Sequence, residues 1–268
     1  MPFNIRNGSV KLHDSVMNYA SFGTGEKKLI ILPGLSDGLA TVKGKALLLA
    51  APYRKYLNDF TIYMFSRKEP LPGKYSIREM AADQAAAMEL LGMDKACVLG
   101  VSQGGMIAQY LAIDRPEMVE RLVLAVSAPR ADDLVRSNVE KWTGFAENGD
   151  HKSLMIDTAE KSYSETYLKK YRKLYPVIGA VGKPADYSRF LSNAGAILCF
   201  DAYDELDRIS CPVLIIAGSD DKIVGVEASF RMHEKISGSE LFVYEGLGHA
   251  AYEEAADFNS RVFAFLQR

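Results

Sequence analysis

Lys95-Ala-Cys-Val-Leu-Gly100-Val-Ser102-Gln-Gly104-Gly-Met-Ile-Ala-Gln-Tyr-Leu-Ala112 holds two unlike halves around one serine. The first half, Lys95 to Leu99, is short, mostly apolar and rich in strand formers. The second, Gly105 to Ala112, has helix-forming composition, with Met106, Ile107, Tyr110 and Leu111 at helical spacings. A buried strand therefore turns into a helix within Gly100-Val-Ser-Gln-Gly104. So tight a corner brings backbone and helix closer than a Cβ tolerates, which explains glycine at 100 and 104. Ser102 stands at the tip, held out of the sheet beside the positive end of the helix. The bare spacing of glycines and serine says little; the strand before it and the helix after it give it meaning.

Upstream, Ser9 to Leu12 and Ser15 to Phe22 read as an antiparallel hairpin turning at His13-Asp14. Lys28-Leu-Ile-Ile-Leu32 is a continuous apolar strand, the kind covered on both faces. A loop, Pro33-Gly-Leu-Ser-Asp-Gly38, follows it, then a helical pattern from Thr41 to Leu57 and a strand from Phe60 to Phe65. Ser76-Ile-Arg-Glu79 has the form of a capping box and opens a helix through Leu91. Downstream, Arg121 to Val126 is a strand, and there the rhythm breaks. Residues 131–207 show helical patterns and no clear strand. Leu134, Val135, Val139, Trp142 and Phe145 form one apolar face, and Tyr163, Tyr167, Tyr171 and Tyr175 recur every fourth residue as a stripe along a helix. The alternation then resumes with a strand at Pro212 to Ile216, a helix at Val226 to Ile236, a strand at Glu240 to Tyr244 and a closing helix at Glu253 to Leu266. Strands alternating with helices define an α/β chain with a mainly parallel central sheet flanked by helices.

The chain has 268 residues, 48% hydrophobic and 25% charged, an ordinary globular mixture with room for one large domain plus an insertion. A net charge of −2 gives no electrostatic ground for nucleic acid or an anionic membrane as partner. No apolar run approaches the roughly 20 residues of a membrane span. The opening Met1-Pro-Phe-Asn-Ile-Arg-Asn-Gly8 lacks the apolar core of a secretory signal. Cys97, Cys199 and Cys211 are odd in number and lie in or beside apolar stretches, which reads as buried thiols in a reducing compartment. The expectation is a cytoplasmic protein with no metal site and no organic cofactor, acting on a small molecule. The oligomeric state stays open, a homodimer included.

Serine is a weak nucleophile unless a base, itself oriented by a carboxylate, lies within hydrogen-bond reach. Of four histidines, His13 falls in the hairpin turn, His151 in the helical segment and His233 within a helix; all three read as surface residues. His249 follows Gly246-Leu-Gly248 just after the last strand. Functional loops of parallel sheets gather at the carboxyl ends of strands, where Ser102 and His249 both fall. Asp220 and Asp221, past the strand that ends at Gly218, suit the carboxylate; Asp132 or Asp133 is a second choice. A paired aspartate in such a loop serves as well as a turn or helix cap.

With Gly100-Val-Ser102-Gln-Gly-Gly105, Gly218-Ser-Asp-Asp221 and Gly248-His249 in that order, the chain resembles the α/β-hydrolase fold superfamily, specifically serine hydrolases with a helical cap. The likeness runs from Ser15 to Pro129 and from Ser210 to the end. It implies a hydrolase core of residues 1–130 and 208–268, with 131–207 inserted as the cap. It also implies Ser102 as nucleophile, Asp221 as acid and His249 as base. The backbone N–H groups of Gln103 and Leu35 would form the oxyanion hole, Ser36 being the neighbour of the latter. Two departures stand out. Pro33-Gly34 replaces the usual His-Gly, and Ser66-Arg-Lys-Glu-Pro70 replaces a segment of Asp, Arg and glycines.

The implied activity is hydrolysis of a carboxylic ester or related acyl bond through an acyl-enzyme. Hydrolysis of a C–C bond in a β-diketone, or of an enol-lactone, is the alternative within the same fold, and cofactor-free peroxidase chemistry is shared by such sites. A small-molecule sensor with a retained triad is the alternative of another class. The tyrosine stripe is expected to be a packing face, with pocket lining as its rival. Lys169, Lys170, Arg172 and Lys173 are expected to be solvated, with attraction of an anionic substrate as the rival.

Overall fold

The computed structural model describes residues 3–178 and 182–268. Met1 and Pro2, on which part of the leader reading rests, and residues 179–181 of the expected cap lie outside the described residues. The strands are β1 (Arg6–Leu12), β2 (Ser15–Phe22), β3 (Lys27–Leu32), β4 (Phe60–Phe65), β5 (Ala96–Val101), β6 (Val119–Ala125), β7 (Val213–Gly218) and β8 (Glu240–Tyr244). They form one sheet in the order β1-β2-β4-β3-β5-β6-β7-β8. The β1–β2 and β2–β4 pairs are antiparallel, and the remaining pairs from β4 to β8 are parallel.

The continuous apolar strands divide their side chains between the two faces. Ile30, Leu32, Val98 and Leu122 point into one core, with Met80, Ile107 and Met232. Leu29, Ile31, Cys97 and Val123 point into the other, with Tyr56, Val262 and Phe265. A strand covered on both sides has no polar face to offer, which is why these runs do not alternate.

The helices are α1 (Ala46–Ala50), α2 (Ile77–Leu90), α3 (Gln103–Asp114), α4 (Asp133–Glu147), α5 (His151–Ser162), α6 (Glu165–Tyr171), α7 (Tyr175–Ile178), α8 (Ser188–Leu198), α9 (Val226–Lys235), α10 (Ala251–Glu254) and α11 (Phe258–Leu266). The capping box forms at α2: Glu79 N donates to Ser76 Oγ at 3.2 Å and Ser76 N donates to Glu79 Oε2 at 2.7 Å. Helices α4 to α8 fill the interval between β6 and β7, with no strand there among the described residues.

Several local expectations change. The helix expected from Thr41 to Leu57 is only α1, continued by a 3-10 stretch over Ala51–Tyr56; Gly44, at φ 77°, and Pro52 interrupt the pattern. The closing helix divides into α10 and α11. The tyrosine stripe is not one helix: α5 ends at Ser162 and Ser164 caps α6, its Oγ accepting from Tyr167 N at 3.2 Å. Leu134 is exposed while Val135, Val139 and Trp142 are buried, so the apolar face of α4 is narrower than expected. Cys199 is exposed at the end of α8; only Cys97 is buried, and burial pushes its thiol up to about 12. His151 is buried rather than on the surface, at the start of α5 with its ring 6.2 Å from that of Tyr187.

Candidate active site

The turn between β5 and α3 is held by crowding. A Cβ on Gly104 would lie 1.9 Å from the Leu32 carbonyl oxygen, so α3 packs onto β3 only if residue 104 lacks one. Ser102 between them has φ 53° and ψ −119°. A serine there carries backbone strain that the surrounding packing must hold. Its carbonyl accepts from Gly105 N at 2.8 Å and from Ser127 Oγ at 2.8 Å. Ser127 follows Val126, itself a β-branched residue at φ 46° at the end of β6.

His249 reaches Ser102 from the loop after β8. That loop is joined to the loop after β7: Ser219 N donates to Tyr244 O at 3.0 Å and Asp220 N to Leu247 O at 2.9 Å. A Cβ on Gly218 would lie 2.3 Å from Leu247 O, so the two loops touch backbone to backbone. The result is a hydrogen-bonded row. Asp221 Oδ2 lies 2.7 Å from His249 Nδ1, and His249 Nε2 lies 2.9 Å from Ser102 Oγ. With Nδ1 protonated toward the carboxylate, Nε2 accepts from the serine hydroxyl.

Asp221 Oδ1 accepts from the N–H groups of Ile223 at 2.8 Å and Val224 at 3.0 Å. Burial raises the Asp221 carboxyl, but His249 and these hydrogen bonds together hold it below its ordinary value. Asp220 is exposed, one residue away, and its carboxylate accepts from the Ser219 hydroxyl at 3.1 Å. Asp132 caps α4 and pairs with Arg231 at 3.4 Å, and Asp133 is exposed. Among the other histidines, His13 and His233 are exposed, and His151 packs beside Tyr187.

Gln103 opens α3 and Leu35 opens the 3-10 turn Leu35–Gly38, so neither N–H has an acceptor within its own helix. The Leu35 loop runs directly over the serine: a Cβ on Gly34 would lie 3.3 Å from Ser102 Cβ. Behind the two amides is a buried polar network that the sequence did not announce. Arg67 Nη2 donates to Pro33 O at 2.7 Å and to Gln103 Oε1 at 3.0 Å. Gln103 Nε2 donates to Asn193 O on α8 at 2.7 Å. Asp37 Oδ2 accepts from Arg67 N at 3.1 Å and from Arg189 Nη2 at 2.7 Å. Burial pulls the Arg67 guanidinium below its ordinary value, with Asp37 opposing. The Ser66-Arg67 segment, a departure from the usual pattern, thus ties the Pro33 loop, the elbow helix and α8 together. Nothing in the sequence links Arg189 to Asp37, 152 positions away.

Two chambers meet at His249, and the smaller also holds Ser102. The smaller, about 120 Å³, is lined by Ser102, Leu35, Met106 and the apolar Val139, Trp142 and Ile197. The larger, about 330 Å³, is lined by all four stripe tyrosines with Tyr252 and His249. Ser36, Thr158, Ser162, His249 and Tyr252 belong to both. The stripe therefore faces a cavity instead of a packed core. Although the helix is broken, the rings of Tyr163 and Tyr167, and of Tyr167 and Tyr171, still lie 4.3 Å apart. No lysine or arginine among the described residues lines either chamber. Arg172 is bound by Glu160 and Glu165. Among the described residues no group of three or more His, Cys, Asp or Glu side chains is arranged to hold a metal ion. No described helix is long and apolar enough to cross a membrane.

The alpha/beta hydrolase fold family matches residues 29–256 of the chain. The chain belongs to that family. It is 25% identical to "3-oxoadipate enol-lactonase 2" of Acinetobacter baylyi, over 100% of this chain and 99% of the relative. It is 27% identical to a "2-hydroxy-6-oxononadienedioate/2-hydroxy-6-oxononatrienedioate hydrolase" of a Pseudomonas species, over 98% and 93% of the two chains. Among solved structures, the enol-lactonase of Burkholderia xenovorans LB400 superposes with a TM-score of 0.82 at 21% identity, covering 97% of this chain and 100% of that one.

Proposed function

We propose that the protein is a serine hydrolase that cleaves a carboxylic ester, open or cyclic, of a small molecule. The observation that carries this is the row Asp221–His249–Ser102, with both hydrogen bonds at 2.9 Å or less. In the proposed reaction Ser102 Oγ forms a bond to the carbonyl carbon while its proton passes to His249 Nε2. The charge on the carbonyl oxygen is met by the N–H groups of Gln103 and Leu35. The C–O bond to the leaving group then breaks, and that oxygen takes the proton from His249. Water adds to the acyl-enzyme, giving its proton to His249, and the acid departs as Oγ regains a proton. Asp221 holds the imidazole in the required tautomer and stabilises its charged form.

Residues 131–207 act in this reading as a cap. Val139, Trp142 and Ile197 give the small chamber its apolar wall, and water is kept from the serine by that wall. Two relatives bear the names of an enol-lactonase and of a hydrolase of oxo-dienoates, which supports including lactones among the substrates to be tried.

The test requires no knowledge of the substrate. Mass spectrometry after treatment with a fluorophosphonate should find one adduct, on Ser102, absent from Ser102→Ala and lost from His249→Ala. Folded protein that takes no label, or takes it elsewhere, would refute the mechanism and favour a ligand sensor.

A further inference from the structure

The two chambers differ in what they can accept, and His249 belongs to both. Taking the ester reading above as its basis, we propose that the tyrosine chamber holds the leaving group and selects an uncharged aromatic alcohol portion over an anionic one. The small apolar chamber then holds a short acyl group.

The assignment of ends follows from the proton. The leaving oxygen must collect it from His249 Nε2, so the leaving group extends from the histidine side. The larger chamber shares His249 and Tyr252 with the smaller, but has neither Ser102, Gly34 nor Leu35 in its wall. The smaller has those three in its wall and so surrounds the carbonyl carbon and its acyl chain. Its volume of about 120 Å³ is little more than a third of the larger chamber's 330 Å³. That suits a short acyl group and no long chain.

The selection follows from the lining. Tyr163 stacks on Tyr167 with 10° between the ring planes, and Tyr171 meets Tyr167 tilted by 31°, so the wall offers apolar ring surface with hydroxyl tips. The charged side chain in this wall is Glu253, whose Oε2 accepts from Tyr163 Oη at 2.6 Å. With no lysine or arginine in the wall among the described residues, a carboxylate entering here would lose water, gain no lysine or arginine as counter-ion and meet Glu253. The basic run at 169–173 does not change this, because none of its cations lines the chamber. The relatives named above have carboxylates in their printed names, 3-oxoadipate and nonadienedioate. The lining of this chain argues for another substrate class.

The experiment compares kcat/KM for ethyl acetate, benzyl acetate and 4-carboxybenzyl acetate. The distant carboxylate leaves the reactivity of the ester bond nearly unchanged. Benzyl acetate should exceed ethyl acetate by about tenfold through stacking on the tyrosines. The 4-carboxybenzyl ester should fall about tenfold below benzyl acetate, mostly in KM, from its unpaired charge. Tyr167→Ala, and independently the gentler Tyr171→Leu, should pull the benzyl-to-ethyl ratio toward one. Glu253→Gln should narrow the gap between the benzyl and 4-carboxybenzyl esters. Equal rates for those two esters, or a benzyl-to-ethyl ratio untouched by both tyrosine variants, would overturn the assignment while leaving the ester reading intact. If the wild type hydrolyses none of the three faster than Ser102→Ala while Ser102 still takes the fluorophosphonate, this assignment fails alone; if Ser102 takes no label either, the ester reading fails with it.

Discussion

One wall of the cleft is the end of the sheet and the other is the helical segment 131–207; they bring residues to the site by different means. On the sheet side, Ser102, Asp221 and His249 each sit within three residues of the end of a strand or of a glycine in the loop that follows. Their positions depend on backbone packed against backbone, as where Gly104 meets Leu32 and Gly218 meets Leu247. On the helical side, Val139, Trp142 and Ile197 come from helices α4 and α8, whose placement depends on side-chain contacts far apart in the chain. The sheet wall is closely packed and locally specified, and the proposed chemistry sits there. The helical wall is specified at long range, and the proposed selection sits there.

The largest effect that would break this division belongs to the sheet wall. Asp221→Asn should lower kcat by about 10⁴-fold, because the imidazole loses the partner that sets its tautomer. Asp220→Asn, one residue away and exposed, should change it less than about twofold. Steady-state kinetics on any accepted ester decides; similar losses in both would remove Asp221 from its role. The same carboxyl also gives a pH signature. Its folded value lies below its unfolded value, so it contributes stability above the ordinary carboxylate range, near pH 4. That contribution is lost as pH falls through the depressed folded value. Wild type should therefore lose stability relative to Asp221→Asn as acid is added, seen by melting both proteins from pH 6 downward.

The next effect lies where the walls meet. Arg189 on α8 donates to Asp37 in the Pro33 loop at 2.7 Å, and Asp37 is buried. Arg189→Leu would strip a buried carboxylate of one of its two cations. The expected cost is about 3 kcal/mol in denaturant unfolding. Because Asp37 lies two residues past Leu35, kcat should fall as well, and more than KM rises. A loss of stability with unchanged kcat would separate the network from the proposed oxyanion loop.

This same junction shows what the sequence can and cannot disclose. Ser102, His249 and the Asp220–Asp221 pair were legible because a strand, a glycine and a polar residue lie close together in the chain. The parallel strands were legible because burial on both faces leaves long apolar runs. Arg67, Asp37 and Arg189 were not, since charged residues read as surface until a fold brings them together. The tyrosine period was visible, yet the break at Ser164 was missed although serine there is a ready N-cap. Whether the rings met core or cavity depended on how α5, α6 and the His249 loop converge, which no local pattern records.

The smallest effect sharpens the contrast through glycine. At Gly104 a Cβ would meet the Leu32 carbonyl oxygen at 1.9 Å. Gly144, inside α4 on the helical wall, has nothing within 4 Å of the place a Cβ would take. Its φ is helical, so alanine there removes only the entropy cost of glycine in a helix. Gly144→Ala should add about 0.5–1 kcal/mol to stability, a rise of a few degrees in Tm at most. A destabilised Gly144→Ala would mean that α4 bends at this residue and that the helical wall, like the sheet wall, depends on close backbone geometry. Stabilisation with unchanged kcat/KM would show that this wall tolerates local change as long as the side chains lining the chambers are kept.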